Sequence, residues 1–497
     1  MPTPKLPTAI VIGSGFGGIS SAIRLQAAGF NTTLLEKQDM AGGRAYVYHQ
    51  DGFTFDAGPT VITAPECIDE LFAASRRNLT DYITLLPVRP FYRLCWDDGY
   101  QFDYDNDSLI LESQIKKKNP ADVQGYERFL RYSREVFDEG YTKLAHVPFL
   151  KIRDMVQVSP QLLRLKSYKS VYSSVSSYIS DPHLRQAFSF HSLLIGGNPF
   201  STPSIYTLIH YLERKGGVFF PKGGTGSLVK GLVKLFKDLG GTILLNSEVE
   251  QINCIDRQIS GVRLTNGKTL KCDIIVSNAD VYHTYNHLLK ESRFAKSTAK
   301  KLGRMTYSMS LFLIYFGTKK QYPELAHHTV IFGPRYKGLL KDIFKKGILP
   351  EDFSLYLHAP TRTDPSLAPP GHEGFYVLSP VGHLGKLNID WEKEAPQYAN
   401  KIFKYLEEKY LPGLTKNLAT MKIFTPMDFK NKLNAHLGSA FSLEPKLTQS
   451  AYFRVHNRDK HIQGLYFSGA GTHPGAGVPG VLNSAKATVD LICKDYQ

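Results

Sequence analysis

At 497 residues the chain is too long for one ordinary core, so two or three domains are expected. Its 42% hydrophobic and 21% charged residues exclude disorder as the default state. A net charge of +15 suits nucleic acid or an anionic membrane surface, but the basic residues are dispersed and no zinc-finger spacing occurs, so nucleic acid is not expected.

The opening Met1-Pro2-Thr3-Pro4-Lys5-Leu6-Pro7 lacks the apolar core of a signal peptide. Residues 8–12 are an apolar run, read as a strand buried on both faces. Gly13-Ser14-Gly15-Phe16-Gly17-Gly18 follows, and then Ile19, Ala22, Ile23 and Leu25 recur at helical spacing. In this strand, turn and helix, Gly13 permits the tight turn and Gly15 lets backbone approach a pyrophosphate. Gly18 lets helix and strand pack closely. The helix N-terminus would then face the anion. A second strand over 32–35 ends at Glu36, where an acid accepts hydrogen bonds from adenosine ribose hydroxyls and disfavours a 2′-phosphate. A lone glycine motif is weak, and Glu36 could be a solvated strand end. Gly42-Gly43-Arg44 and a further turn through Gly52 and Gly58 strengthen the reading.

Two stretches mix Leu, Phe and Tyr with Lys and Arg, as interfacial helices do: 147–169 and 336–346. For each, a surface helix with one buried apolar face is the plain alternative. A helix is expected over 227–239, one bent strand over 240–250 and another strand over 272–280. The segment 309–317 suits a buried strand, and no apolar run approaches the ~18 residues of a membrane span. The segments 76–215 and 291–455 are rich in Tyr, Phe and Leu, consistent with a large apolar pocket or an ordinary core.

Near the far end, a strand at 464–468 enters Gly469-Ala470-Gly471-Thr472-His473-Pro474-Gly475-Ala476-Gly477-Val478-Pro479-Gly480, followed by a helical pattern. Five glycines in twelve residues bring backbone close to something flat, with a helix N-terminus aimed at it. The cysteines Cys67, Cys95, Cys254, Cys272 and Cys493 form no CxxC pair, which suggests reduced thiols in a cytoplasmic setting. No metal ligand set is expected.

Gly42-Gly43-Arg44 after the ribose acid resembles the glutathione-reductase-like flavoproteins. The run 52–60 resembles the flavin amine oxidase branch. Over essentially its whole length the chain resembles the bacterial-type phytoene desaturases. The resemblance is carried by Gly42-Gly43-Arg44-Ala45-Tyr46-Val47-Tyr48, by 52–63, by His191 to Phe200 and above all by Gly469 to Gly480.

That resemblance implies an α/β fold with a Rossmann-like FAD-binding domain in three pieces, 1–75, 216–290 and 456–497. An α+β substrate domain would occupy 76–125 and 291–455, and a helical membrane-associating part 126–215. It implies non-covalent FAD held by Gly13, Gly15, Gly18, Glu36, Gly43, Arg44, Gly58, Val249, Gly471, Gly477 and Val478. In the family pattern Arg44 meets the phosphate or sugar region, Val249 meets adenine through its backbone, and the C-terminal helix faces the flavin N1–C2=O edge. The implied reaction converts 15-cis-phytoene to all-trans-lycopene in successive steps, with hydride passing to flavin N5 and a proton lost. Quinone or oxygen would accept the electrons, and the protein would lie peripherally on the inner face of the cell membrane. Asp154 is the candidate for proton handling, with a helix-surface ion pair as its plain alternative. His473 is a second candidate that better suits orienting backbone. A neurosporene-forming or C30 desaturase, a ketolase, a flavin amine oxidase and a non-enzymatic prenyl-lipid carrier are the alternatives.

Overall fold

The computed structural model describes residues 7–496, so the expectation about a signal peptide in residues 1–6 lies outside the described residues. A five-stranded parallel sheet is assembled from distant pieces of chain. Its strands run in the order Thr242–Leu244, Asn31–Leu35, Thr8–Ile12, Ile274–Ser277 and Leu465–Phe467. The central strand Thr8–Ile12 shows why a continuous apolar run was needed. Ala9 and Val11 pack into a core with the helices Phe16–Ala27, Thr225–Asp238 and Val478–Tyr496, while Ile10 and Ile12 pack on the opposite face against Val249, Ile252 and Val262. Both faces are covered, as a parallel sheet requires.

A second sheet of seven strands carries the other half of the molecule. Its order is Leu418–Phe424, Ser310–Thr318, Glu373–Val381, Leu355–His358, His328–Phe332, Tyr92–Trp96 and Gln101–Tyr104. Every residue of Ser310–Thr318 is buried, in keeping with its apolar sequence. Phe312, Ile314 and Phe316 pack on the helix Trp391–Lys409, whereas Leu311 and Leu313 face the other way. The two-residue period of a strand thus divides one run of sequence between a structural core and a cavity wall.

The segment 240–250 departs from expectation. It forms two strands, Thr242–Leu244 in the parallel sheet and Val249–Ile255 in a three-stranded antiparallel sheet. Asn246 adopts φ 52°, a left-handed conformation that Asn tolerates, and breaks the run. The turn closes around the end of the second strand, with Ser247 N donating to the Glu36 carbonyl at 2.7 Å.

The two stretches read as interfacial also part company. In 336–346, Tyr336, Leu339, Leu340, Ile343 and Phe344 are buried in the core beneath the seven-stranded sheet, so the plain alternative holds there. In the helix Ile152–Arg164 no residue is buried, and Ile152, Val156 and Leu163 are 53%, 64% and 63% exposed. Among the described residues no helix is long and apolar enough to cross a membrane.

Candidate active site

The N-terminal glycine turn is built for close approach. Gly13 has φ 91°, and its N–H donates to the Leu35 carbonyl at 2.8 Å, locking the turn to the neighbouring strand. A β-carbon on Gly18 would collide with the Gly13 carbonyl, so only glycine lets the helix Phe16–Ala27 sit this close. A β-carbon on Gly15 would lie 2.8 Å from Oδ1 of Asn278, and one on Gly17 would lie 3.0 Å from Cα of Gly469. Asn278 therefore joins the two glycine motifs, and its Nδ2 donates to the Ser468 carbonyl at 2.8 Å. In the sequence Asn278 falls within the strand expected over 272–280, with no role assigned to it.

Glu36 is 4% exposed. Its Oε2 accepts from the Ser14 N–H at 3.0 Å and the Ser14 hydroxyl at 2.5 Å, and its Oε1 accepts from Gln38 N at 2.9 Å. The acid is thereby fixed at the edge of the cavity described below. Gly43 has φ 57°, and a β-carbon there would lie 3.1 Å from Cα of Gly15. One on Gly58 would meet the Arg44 carbonyl, so these two loops nest.

Arg44 lines the cavity with its Nε buried and without a hydrogen-bond partner. Burial lowers its pKa, opposed by the Asp280 carboxylate. Asp280 in turn is raised by burial. Its Oδ1 caps the following turn by accepting from Tyr282 N and His283 N, which leaves Oδ2 unpartnered.

The C-terminal loop supplies the opposite wall. Gly469, Gly475 and Gly477 adopt φ between 99° and 132°. The helix Val478–Tyr496 begins at this loop, and His473, Pro474 and Ala476 to Val481 line the cavity. A β-carbon on Gly471 would lie 2.6 Å from Cγ1 of Val281. His473 is buried, with Nε2 3.1 Å from the Leu144 carbonyl and its ring against Phe149. Burial pushes its pKa down to about 4, so the ring is neutral at physiological pH and tethers the loop to the helical region.

Most of these groups border one cavity of about 610 Å³. One end is lined by Gly13, Gly15, Glu36, Ser247 and Val249, and the other by Leu311, Leu313, Val330, Phe332, Leu193 and Leu208. Of the predicted cofactor residues, Gly13, Gly15, Glu36, Gly43, Arg44, Gly58, Val249, Gly477 and Val478 line it. Gly18 and Gly471 stand behind the wall. A dinucleotide carrying a flavin fits this chemistry: a buried acid for a ribose, glycine backbone for a pyrophosphate, and unpartnered polar atoms on Arg44, Asp280 and His473.

Asp154 does not line the cavity and stands in the helix-surface setting given above as its plain alternative. Its Oδ2 accepts from Lys151 N at 2.9 Å and Leu150 N at 3.2 Å, capping the helix Ile152–Arg164, and Arg153 lies 3.8 Å away. The cavity-lining residues of that helix are Met155, Val158 and Leu162.

Deep in the apolar half lies a polar web that the sequence reading missed. Glu213, on the helix Leu208–Gly216, is 1% exposed and borders the cavity. Tyr92 donates to its Oε1 at 2.7 Å. His191 Nε2 lies 3.1 Å from Oε2 but off the line of a hydrogen bond, so Oε2 receives no donor. Further along, Thr60 Oγ1 meets the Tyr376 hydroxyl at 2.7 Å and the Tyr356 hydroxyl at 3.1 Å, and Tyr356 meets His328 Nδ1 at 2.6 Å. His327, His328 and His358 place potential ligand atoms within 4.8 Å of one another, a grouping unforeseen from sequence because His358 comes from the neighbouring strand. All three are held neutral by burial and no carboxylate joins them.

The family model "Flavin containing amine oxidoreductase" matches residues 16–493. The chain is 59% identical over 488 residues to a phytoene desaturase (lycopene-forming) of Pseudescherichia vulneris, covering 98% of this chain and 99% of the relative. It is 58% identical over 485 residues to the corresponding protein of Pantoea ananas, with 98% and 99% covered. Among solved structures, an oxidoreductase from Methanosarcina mazei superposes with a TM-score of 0.64 at 16% identity, covering 97% of this chain and all of that one, a likeness of fold alone.

Proposed function

Because the chain belongs to the flavin-containing amine oxidoreductases and, within them, to the phytoene desaturases, we propose that it forms lycopene from phytoene in carotenoid biosynthesis. It is an FAD-dependent oxidoreductase. The observation that carries this is the near-complete match to lycopene-forming relatives, joined to a single cavity with a nucleotide cradle at one end and an apolar lobe at the other.

When bound, FAD supplies a two-electron acceptor for a hydride leaving an allylic carbon. The chain's own residues hold, orient and exclude. Glu36 would receive the ribose, the turn from Gly13 to Gly18 would cradle the pyrophosphate, and Arg44 would meet the phosphate or sugar region. The N-terminus of the helix Val478–Tyr496 would favour negative charge on a ring system bound beside it. Phytoene offers no polar handle, so Leu193, Leu208, Leu311, Leu313 and Phe332 bind it by apolar burial, at roughly 25 cal/mol per Å².

The finer reading is of 15-cis-phytoene carried to all-trans-lycopene on a lipid surface, on the inner face of the cell membrane, with quinone or oxygen as electron acceptor. The helix Ile152–Arg164 supports the lipid surface. One stripe presents Ile152, Val156 and Leu163 to the exterior, flanked by Lys151, Arg153, Arg164 and Lys166, and an adjacent stripe of Met155, Val158 and Leu162 lines the cavity. A hydrocarbon leaving the bilayer beneath this helix would meet the apolar lobe directly. The test is conversion of phytoene in liposomes with FAD and quinone. A lycopene spectrum is expected. A shorter chromophore would revise the product, and no conversion by FAD-loaded protein would overturn the substrate.

A further inference from the structure

A buried carboxylate facing an apolar cavity is expensive, and charged groups are rarely left so unless paired or used. Glu213 has no Lys or Arg ion-pair partner among the described residues. The adjacent Arg214 is turned away, donating from Nη1 to the Asp105 carbonyl and from Nη2 to Ser108 Oγ at 2.8 Å. The groups around Glu213 come from three packed elements and its own helix: Tyr92 and Tyr104 from two strands, His191 from the turn Phe190–Ile195, and His210 from the helix Leu208–Gly216. His210 is occupied by Tyr104 and Tyr126, and burial keeps it neutral. Burial and then the Glu213 carboxylate push the Tyr92 phenol well above its ordinary range, so Tyr92 remains a donor to Oε1. One oxygen of the carboxylate is thus fixed, and the other is unpartnered in a cavity otherwise walled here by Leu212, Phe190, Leu193 and Ile209.

Resting on the desaturase reading, we propose that Glu213 is the proton acceptor of the reaction, with Tyr92, which fixes its Oε1, as the positioning residue. At one carbon of the polyene a C–H bond would break and its electron pair leave with the hydrogen as hydride to the flavin that the desaturase activity employs. The allylic cation left behind is stabilised by the nearby carboxylate in a cavity of low polarity. At the adjacent carbon the C–H electron pair becomes the new π bond, and the proton forms an O–H bond at Oε2. Two hydrogens and two electrons leave the substrate, one proton resting on Glu213 and the hydride on the flavin. Asp154 is engaged at a helix end and does not line the cavity, and Glu36 and Asp280 belong with the glycine turns and Arg44, so Glu213 is the carboxylate that the fold sets among the apolar side chains of the lobe.

The test compares wild type, Glu213→Gln and Glu213→Asp, each loaded with FAD and supplied with phytoene in liposomes of neutral lipid. Glu213→Gln keeps the shape and the bond from Tyr92 but is not a base. It should retain FAD and phytoene, measured by flavin absorbance and ligand co-sedimentation, while anaerobic bleaching of the flavin slows about 10²- to 10⁴-fold. Infrared difference spectra on substrate addition should show a protonated carboxyl band in the wild type that vanishes in Glu213→Gln. Glu213→Asp should recover part of the rate. Wild-type rates in Glu213→Gln, a persistent carboxyl band, or equal loss of FAD in both variants would overturn the role. Absence of lycopene from the wild type would instead overturn the substrate reading.

Discussion

Glu36 and Asp154 show two fates of an acidic residue read from sequence. Glu36 was singled out by its distance from the glycine turn, and its locked position at the cavity edge suits a ribose hydroxyl as a further donor. Glu36→Ala should weaken FAD binding roughly 10- to 100-fold, since a hydrogen bond to a charged group contributes about 1.5–3 kcal/mol. Flavin fluorescence titration reads this directly, and an unchanged Kd would leave Glu36 with the turn alone. Asp154 stands at the start of a helix, where its carboxylate satisfies backbone donors. Asp154→Ala should lower stability by about 0.5–2 kcal/mol while lycopene formed per bound FAD stays near the wild-type rate. A collapse of turnover at unchanged stability would return proton handling to Asp154.

At the scale of elements, the same pattern of Leu, Tyr and Lys meant different things in two places. Tyr336–Lys341 turns its apolar side chains into the core, whereas Ile152–Arg164 has a partly covered stripe on the cavity and a second stripe outside. Periodicity reveals a face but not what covers it. The double variant Val156→Asp with Leu163→Asp should lose co-sedimentation with anionic vesicles and convert little phytoene from them, with FAD content unchanged. Undiminished vesicle binding would remove this helix from the lipid surface. The bent strand expected over 240–250 failed for a related reason. Asn246 ends one strand, and the next belongs to another sheet, which the apolar run alone does not announce.

Across the whole molecule, buried and half-buried histidines set the acid limit. His283, His383, His436 and His473 are each pushed down to about 4, with burial the leading cause. In the unfolded chain they titrate near 6.5, so their contribution to stability is complete above that pH and is lost as pH falls through about 4. Asp56, which caps the helix Thr225–Asp238 through Thr225 N and Gly226 N, is raised by burial to about 6 and acts in the opposite direction over that range. His210, His327, His328 and His358 are lowered by burial as well, and Asp280 and Glu373 are raised like Asp56; the lowered histidines outnumber the raised carboxyls, so Tm should hold steady near neutrality and fall steeply between about pH 6.5 and 4. A flat melting profile across that window would show that these rings are not held neutral in the native state.

The sequence by itself determined the two glycine turns, their strands and helices, the acid that ends the second strand and the buried strand through Phe312, because turn chemistry and hydrophobic period act over a few neighbouring residues. Only the tertiary structure decided which of the far-separated groups meet: Asn278 beneath the glycines of both ends, Arg44 facing Asp280, and Tyr92 on Glu213 across 121 residues of chain. Such partners are chosen by the packing of whole sheets and helices. The burial of Glu213 against Tyr92 exists only once that packing is complete.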